Sequence, residues 1–172
     1  MAARTTGATL QTKENGDELA RLIRVSSFGT GLKHCQFSNH IGIYSAEDQD
    51  LDERIPAVFV IPAGVTFTEE IAQARAYEVE DEYRIVYLFS AKDPTTDLLD
   101  SSSDDMESIV EALALDANLD SLSLAGATDS VDRSRPLGVE WFPPEDEFLG
   151  EGVAVKAVVV RWSVIWRART YS

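Results

Sequence analysis

Apolar and polar residues alternate along this chain in two rhythms, which predict four main strands and two helices. A period of two is typical of a strand with one buried face, and a period of three to four is typical of an amphipathic helix. The strands are predicted over residues 55–62, 75–90, 131–141 and 152–168, and the helices over residues 15–27 and 101–119.

Two predicted strands each carry a long apolar face. In the second strand the alternating residues are Tyr83, Ile85, Tyr87 and Phe89, with Arg84, Val86 and Leu88 opposite. In the last strand they are Val158, Val160, Trp162, Val164 and Trp166, with Arg161, Ser163 and Arg167 opposite. Pro56 favours a strand end or an edge position for the first strand, because proline has no N–H to donate to a ladder.

The two predicted helices have apolar stripes and polar residues suited to capping. Asn15 or Asp17 is predicted to cap the first helix, and Ser103 or Asp104 the second, because their side-chain oxygens accept from free N–H groups at a helix start. The apolar positions are Leu19, Leu22 and Ile23 in the first helix and Met106, Ile109, Val110, Leu113 and Ala117 in the second.

The order of these elements predicts an α+β fold. We expect a mixed or antiparallel sheet of about four main strands with two helices packed on one face. The last two strands are predicted to form a long β-hairpin that turns near residues 143–152, because consecutive strands usually lie side by side. We expect a flexible N-terminal segment over residues 1–14 and one domain over 15–172. Within 28–54, only 41–44 suggests a strand.

Composition narrows the function without naming it. Thirty acidic and fifteen basic residues give a net charge of −15, which disfavours general binding to nucleic acids or to anionic membranes. The N-terminus has no apolar secretory segment, and no apolar run is long enough to span a bilayer. A lone cysteine, Cys35, favours a reducing compartment. These features predict a soluble, cytoplasmic protein.

Residues with catalytic or metal-binding chemistry are sparse. His34, Cys35 and His40 offer three zinc ligands where a structural site usually has four, so a thiol with two loop histidines is the preferred interpretation. No nucleophile elbow or phosphate-binding loop occurs. We therefore predict no enzymatic activity, no cofactor and no bound metal. A loose Ca²⁺ or Mg²⁺ contact in the acidic loops stays open as an alternative.

One aromatic segment is a candidate interface. Trp141, Phe142, Pro143 and Pro144 end one predicted strand and begin the hairpin turn. Aromatic residues at a projecting tip serve either local packing or the binding of a partner protein, and the sequence favours neither. A monomeric adaptor that binds one partner through Trp141 and Phe142 is thus a further alternative.

The element order resembles that of the tail terminator proteins of long-tailed bacteriophages. The matching segments are DELARLIRV, RIPAVFVIP, EYRIVYLFSAKDP, SSSDDMESIVEALAL, LGVEWFPPE and GVAVKAVVVRWSVIWRA, within residues 15–170. The resemblance implies a non-enzymatic virion protein of the tail or neck, made in the host cytoplasm. It also implies a homo-oligomeric ring, hexameric in this family, between the tail tube protein and the head-side connector. Another neck or head-tail adaptor protein is the related alternative.

A ring of this kind would pass DNA through its lumen, and an acidic lumen would repel the phosphates. The candidate lumen-facing residues lie in two predicted acidic loops: Glu47, Asp48, Asp50, Asp52, Glu53, Asp93, Asp97 and Asp100.

Overall fold

A computed structural model describes residues 11–38, 55–71, 76–91, 98–116, 119, 131–142 and 154–169. Two helices are present in this part of the chain, α1 (Thr12–Val25) and α2 (Leu98–Ala114). Five strands form one sheet, and their bounds are β1 (His34–Phe37), β2 (Ala57–Ile71), β3 (Ala76–Ala91), β4 (Val131–Phe142) and β5 (Ala154–Arg169). The predicted α+β fold is confirmed, with β1 as an additional short strand.

The sheet has the strand order β1-β2-β3-β5-β4. β1 runs parallel to β2, and every other neighbouring pair is antiparallel. β3 and β5 pair from Ala76 opposite Arg169 to Ala91 opposite Ala154, so they form the long centre of the sheet. β4 and β5 are antiparallel neighbours, as the sequence predicted, while the predicted turn between them lies outside the described residues.

One face of the sheet, the inner face, carries the main core under the two helices. Alternate side chains of β3 and β5 on this face are buried, as the period of two predicted, and Trp162 and Trp166 are fully buried. Leu19 and Ile23 of α1, and Ile109 and Leu113 of α2, belong to the same cluster. Both helices therefore pack against one face of the sheet.

The predicted helix caps are wrong. α1 begins at Thr12, and Asn15 is a buried residue within the helix that hydrogen-bonds to the sheet. Asp17 is also within α1, where its carboxylate lies 3.6 Å from the ammonium of Lys13. α2 begins at Leu98, so Ser103 and Asp104 lie inside it. Asn15 thus contacts the sheet instead of capping α1, and α2 begins too early for Ser103 or Asp104 to cap it.

Prolines mark interruptions in both long outer strands. Pro56 directly precedes β2, which confirms the predicted strand end. β2 continues beyond the predicted end to Ile71, with a register irregularity between Pro62 and Gly64. β4 has a matching irregularity between Pro136 and Gly138. Such bulges accommodate a residue that cannot donate to the ladder. The strand predicted at 41–44 lies outside the described residues.

Candidate functional site

The face of the sheet opposite the helices, the outer face, has a second apolar cluster at one end. Its buried residues are Ile55, Ala57, Phe59, Val86, Leu88 and Val159. A pocket of about 460 Å³ lies on this part of the sheet, and its lining is Ile61, Pro62, Ala63, Arg84, Val86, Leu88, Ala157 and Val159. Arg84 is the only charged residue in that lining. The described lining therefore offers a binding surface without a carboxylate, histidine or thiol.

Beyond Arg84, the outer face becomes charged, and we call the part of the sheet from there to Ile71 and Val131 the distal half. Glu78, Glu80 and Glu82 lie on β3, while Arg161 and Arg167 lie on β5 and Arg133 and Arg135 lie on β4. Acidic residues thus occupy the β3 side, while the β5 and β4 side carries these four arginines and one acid, Asp132.

Polar contacts hold part of this charged surface together. A guanidinium nitrogen of Arg161 lies 3.6 Å from a carboxylate oxygen of Glu82, and another lies 3.8 Å from Glu140. Ser163 donates its hydroxyl to Glu80. Arg167 contacts Asp132 at 3.0 Å. The three ion pairs among these contacts are at least partly exposed, so they set the charge pattern more than the stability, since surface ion pairs contribute about 0–1 kcal/mol each.

The sheet has an open edge on each side, as far as the described residues show. β1 covers β2 only from Ala57 to Val60, and Ser38 adds one N–H bond to the carbonyl of Val60. The outer edge of β4 has no paired strand in the described part of the chain. Val65 and Phe67 on the uncovered part of β2 are 37% and 56% exposed. Edges of this kind can pair with another strand.

The structure describes two of the four residues of the predicted aromatic interface, Trp141 and Phe142. Trp141 lies near the end of β4, opposite Val158, and is 43% exposed on the inner side of the sheet edge. Phe142 ends β4 opposite Ala157. Pro143 and Pro144 lie outside the described residues. An exposed tryptophan at a sheet edge keeps both earlier interpretations open, local packing and partner binding.

Most of the predicted acidic loop residues lie outside the described part of the chain. This holds for Glu47, Asp48, Asp50, Asp52, Glu53, Asp93 and Asp97. Asp100 lies in α2, so its assignment to a loop is wrong. α2 starts before Asp100, earlier than its sequence pattern indicated.

Metal-ligating groups do not converge in the described residues, where no three His, Cys, Asp or Glu side chains are placed to hold a metal ion. The Cys35 thiol donates to the carbonyl of Ala20 at 3.2 Å, and burial raises its pKa to about 11. His34 is exposed, and His40 lies outside the described residues. Cys35 is thus a hydrogen-bonded neutral thiol, since only the thiolate is a good ligand or nucleophile.

A buried carboxylate joins α1 to the sheet. Asp81 of β3 accepts hydrogen bonds from Thr12 Oγ1 at 3.1 Å, Asn15 Nδ2 at 3.1 Å, Tyr83 OH at 3.2 Å and Trp166 Nε1 at 2.9 Å. Burial raises the pKa of Asp81, and these four donors oppose that shift. The network orients α1, because Asn15 and Thr12 sit in its first turn.

Sequence reasoning missed the buried Asp81 network, the pocket and the uncovered part of β2. Val65 and Phe67 alternate with polar residues, so the period of two could have extended β2 past Pro62. Nothing local identifies Asp81, since its partners are far away in the chain.

In the described residues, no helix combines the length and apolar character needed to cross a membrane. No protein-family model and no curated protein matches this chain.

Proposed function

We propose that this chain is a ring-forming virion protein of a long-tailed bacteriophage, a tail terminator that caps the tail tube. It acts without catalysis and joins the tube to the head-side connector. The observation that carries the proposal is the pair of edges that the described residues leave open on opposite sides of one sheet. Two different edges allow a heterologous, head-to-tail contact, and such contacts close into rings when the rotation fits.

The chemistry of the surface supports the same proposal. The described residues offer surfaces for contact, and the described lining of the pocket holds neither a nucleophile nor a carboxylate or histidine base. The net charge of −15 suits a ring that DNA crosses, because negative walls would repel phosphates. The partners would be further copies of the chain, the tail tube protein and the connector, with DNA only in transit.

Native mass measurement and negative-stain imaging, with and without isolated phage tail tubes, test the proposal. We expect either rings of six times the 18.9 kDa of one chain or density that caps one end of the tube. A protein that stays monomeric and leaves the tubes bare would contradict it. Stabilisation of such a monomer by Mg²⁺ or Ca²⁺ would instead favour the metal-binding alternative, because a ligand that binds only the folded state raises its stability.

A further inference from the structure

The two edges that stay open among the described residues lie at the same level across the sheet. Thr66 on β2 is opposite Glu80, Glu80 is opposite Ile165, and Ile165 is opposite Arg133 on β4. The strands β2, β3, β5 and β4 alternate in direction. A second copy placed beside the first, with the same face turned inward, would therefore bring its β2 antiparallel to β4 of the first copy.

The prolines limit this pairing to the distal half. Pro62 and Pro136 also lie at the same level across the sheet, because Pro62 pairs with Tyr83, Tyr83 with Trp162, and Trp162 with Pro136. On the other side of this line, β1 covers β2. On the distal side, β2 continues over residues 63–71 and β4 over residues 131–135 without a proline. Their backbone N–H groups can therefore donate to a neighbouring strand.

The charges of the two edges are complementary. In the distal half, β3, the strand next to the β2 edge, carries Glu78, Glu80 and Glu82. The β4 edge carries Arg133 and Arg135, both exposed, together with Asp132, which is paired with Arg167. Side-by-side copies would place these arginines two strands away from the glutamates of the neighbour's β3. The same arrangement opposes a contact between two β4 edges, where the arginines of both copies would meet.

An apolar contact falls at the same place. Phe67 and Val131 lie at the same level on the inner face, because Phe67 pairs with Val79, Val79 with Trp166, and Trp166 with Val131. Phe67 is 56% exposed, whereas Val131 is buried in the main core beside the β4 edge. In the side-by-side arrangement, Phe67 of one copy would lie beside Val131 of its neighbour. The main core of the neighbour would then continue over Phe67.

From these observations we infer that β4 of one copy pairs antiparallel with residues 63–71 of β2 in a second copy. This contact deepens the proposed function and rests on it, since its repetition around a closed rotation forms the ring. The partner that the edge binds is therefore a second copy of this chain.

A disulfide between the edges tests the contact. In a Cys35→Ser background, Thr66→Cys is combined with Arg133→Cys or with Arg135→Cys, the next position on the same face. Within one chain, the two edges are three strand spacings apart, about 14 Å. That distance is too long for a disulfide, which needs Cα atoms within about 7 Å. Any crosslink is therefore between chains.

We expect a ladder of crosslinked species on a non-reducing denaturing gel, formed under the conditions that give rings. Thr66→Cys alone should give no crosslinked dimer, because a head-to-tail contact does not bring this position next to itself. Thr66→Cys with Glu140→Cys is the matched control, since Glu140 lies on β4 outside the distal half. Circular dichroism confirms that each variant is folded.

The outcomes separate the contact from the function. Rings without a ladder at either arginine position would overturn the inferred contact and leave the proposed function intact. A ladder from open filaments would support the contact and count against the terminator. A chain that forms neither rings nor ladders, with tail tubes present, would overturn both.

Discussion

Asp81 offers the sharpest test of how α1 is held on the sheet. Its Oδ2 atom accepts from Asn15 Nδ2 and Trp166 Nε1, two groups that can only donate. Asp81→Ala would leave both donors buried without an acceptor. Tyr83 would keep a partner, because the one proton of its hydroxyl can be donated to the Thr12 carbonyl, 2.7 Å away.

The expected cost follows from the two stranded donors. An unsatisfied buried donor costs about 1–3 kcal/mol, so Asp81→Ala should lower the free energy of unfolding by about 2–6 kcal/mol. Small domains have total stabilities of about 5–15 kcal/mol. Asp81→Asn should cost far less, since an amide oxygen can replace Oδ2 and an amide nitrogen can donate to the Thr12 hydroxyl.

The pH dependence separates charge from shape. Burial raises the pKa of Asp81 above its ordinary value of 3.8. Its contribution to stability is therefore present below the ordinary pKa and is lost as pH rises through the raised pKa. The amide introduced by Asp81→Asn does not ionise, so the stability of this variant relative to the parent should rise between pH 4 and pH 7.

Urea unfolding followed by circular dichroism measures these differences through the midpoint and slope of each transition. The three proteins, the parent, Asp81→Asn and Asp81→Ala, are compared at a series of pH values. Two results would refute the reasoning: equal losses for both variants at pH 7, or a difference between parent and Asp81→Asn that does not change with pH.

Three further predictions concern single residues. Gly16→Ala places a methyl group against the Phe37 ring, so urea unfolding should show a loss of about 1–3 kcal/mol despite the better helix former; an unchanged or higher stability would contradict this. Cys35 in the folded protein should react with iodoacetamide at pH 7 about 100-fold more slowly than in urea, because its pKa is about 11 against the ordinary 9.0; equal rates would contradict the buried thiol. Trp141→Ala should cost about 1–2 kcal/mol against about 3–5 kcal/mol for Trp162→Ala, because Trp141 is half exposed. Equal costs in urea unfolding would make Trp141 a packing residue instead of an interface residue.

The central strands could be predicted from sequence because their period of two is strong. β3 and β5 each carry a face of alternating large apolar residues, and that pattern fixes which side chains enter the core. β1 could not be found in this way, since four residues of mixed polarity are too short to show a period. The sequence predicts that the strand beginning at residue 55 ends at Pro62, whereas β2 continues past it, because a bulge accommodates the proline.

The candidate site was harder to predict than the fold. Asn15 has the chemistry of a helix cap, and only its contact with Asp81 explains its place inside α1. The separation of the glutamates on β3 from the arginines on β5 and β4 arises from pairing between residues that are far apart in sequence, such as Glu80 with Ile165 and Ile165 with Arg133. The numbers of acidic and basic residues in the sequence give only the net negative charge of the chain.

The two halves of the sheet differ in how their amides should exchange with solvent. Toward β1, the sheet has buried side chains on both faces, in the main core under the helices on one side and in the cluster of Phe59, Val86 and Val159 on the other. In the distal half, the outer face is largely charged and lies outside that cluster. Local opening costs least where fewest apolar contacts must be broken. The amide hydrogens of the same strands should therefore exchange slowly toward β1 and faster in the distal half, so the edges that we propose to meet a neighbour could adjust while the rest of the sheet stays closed.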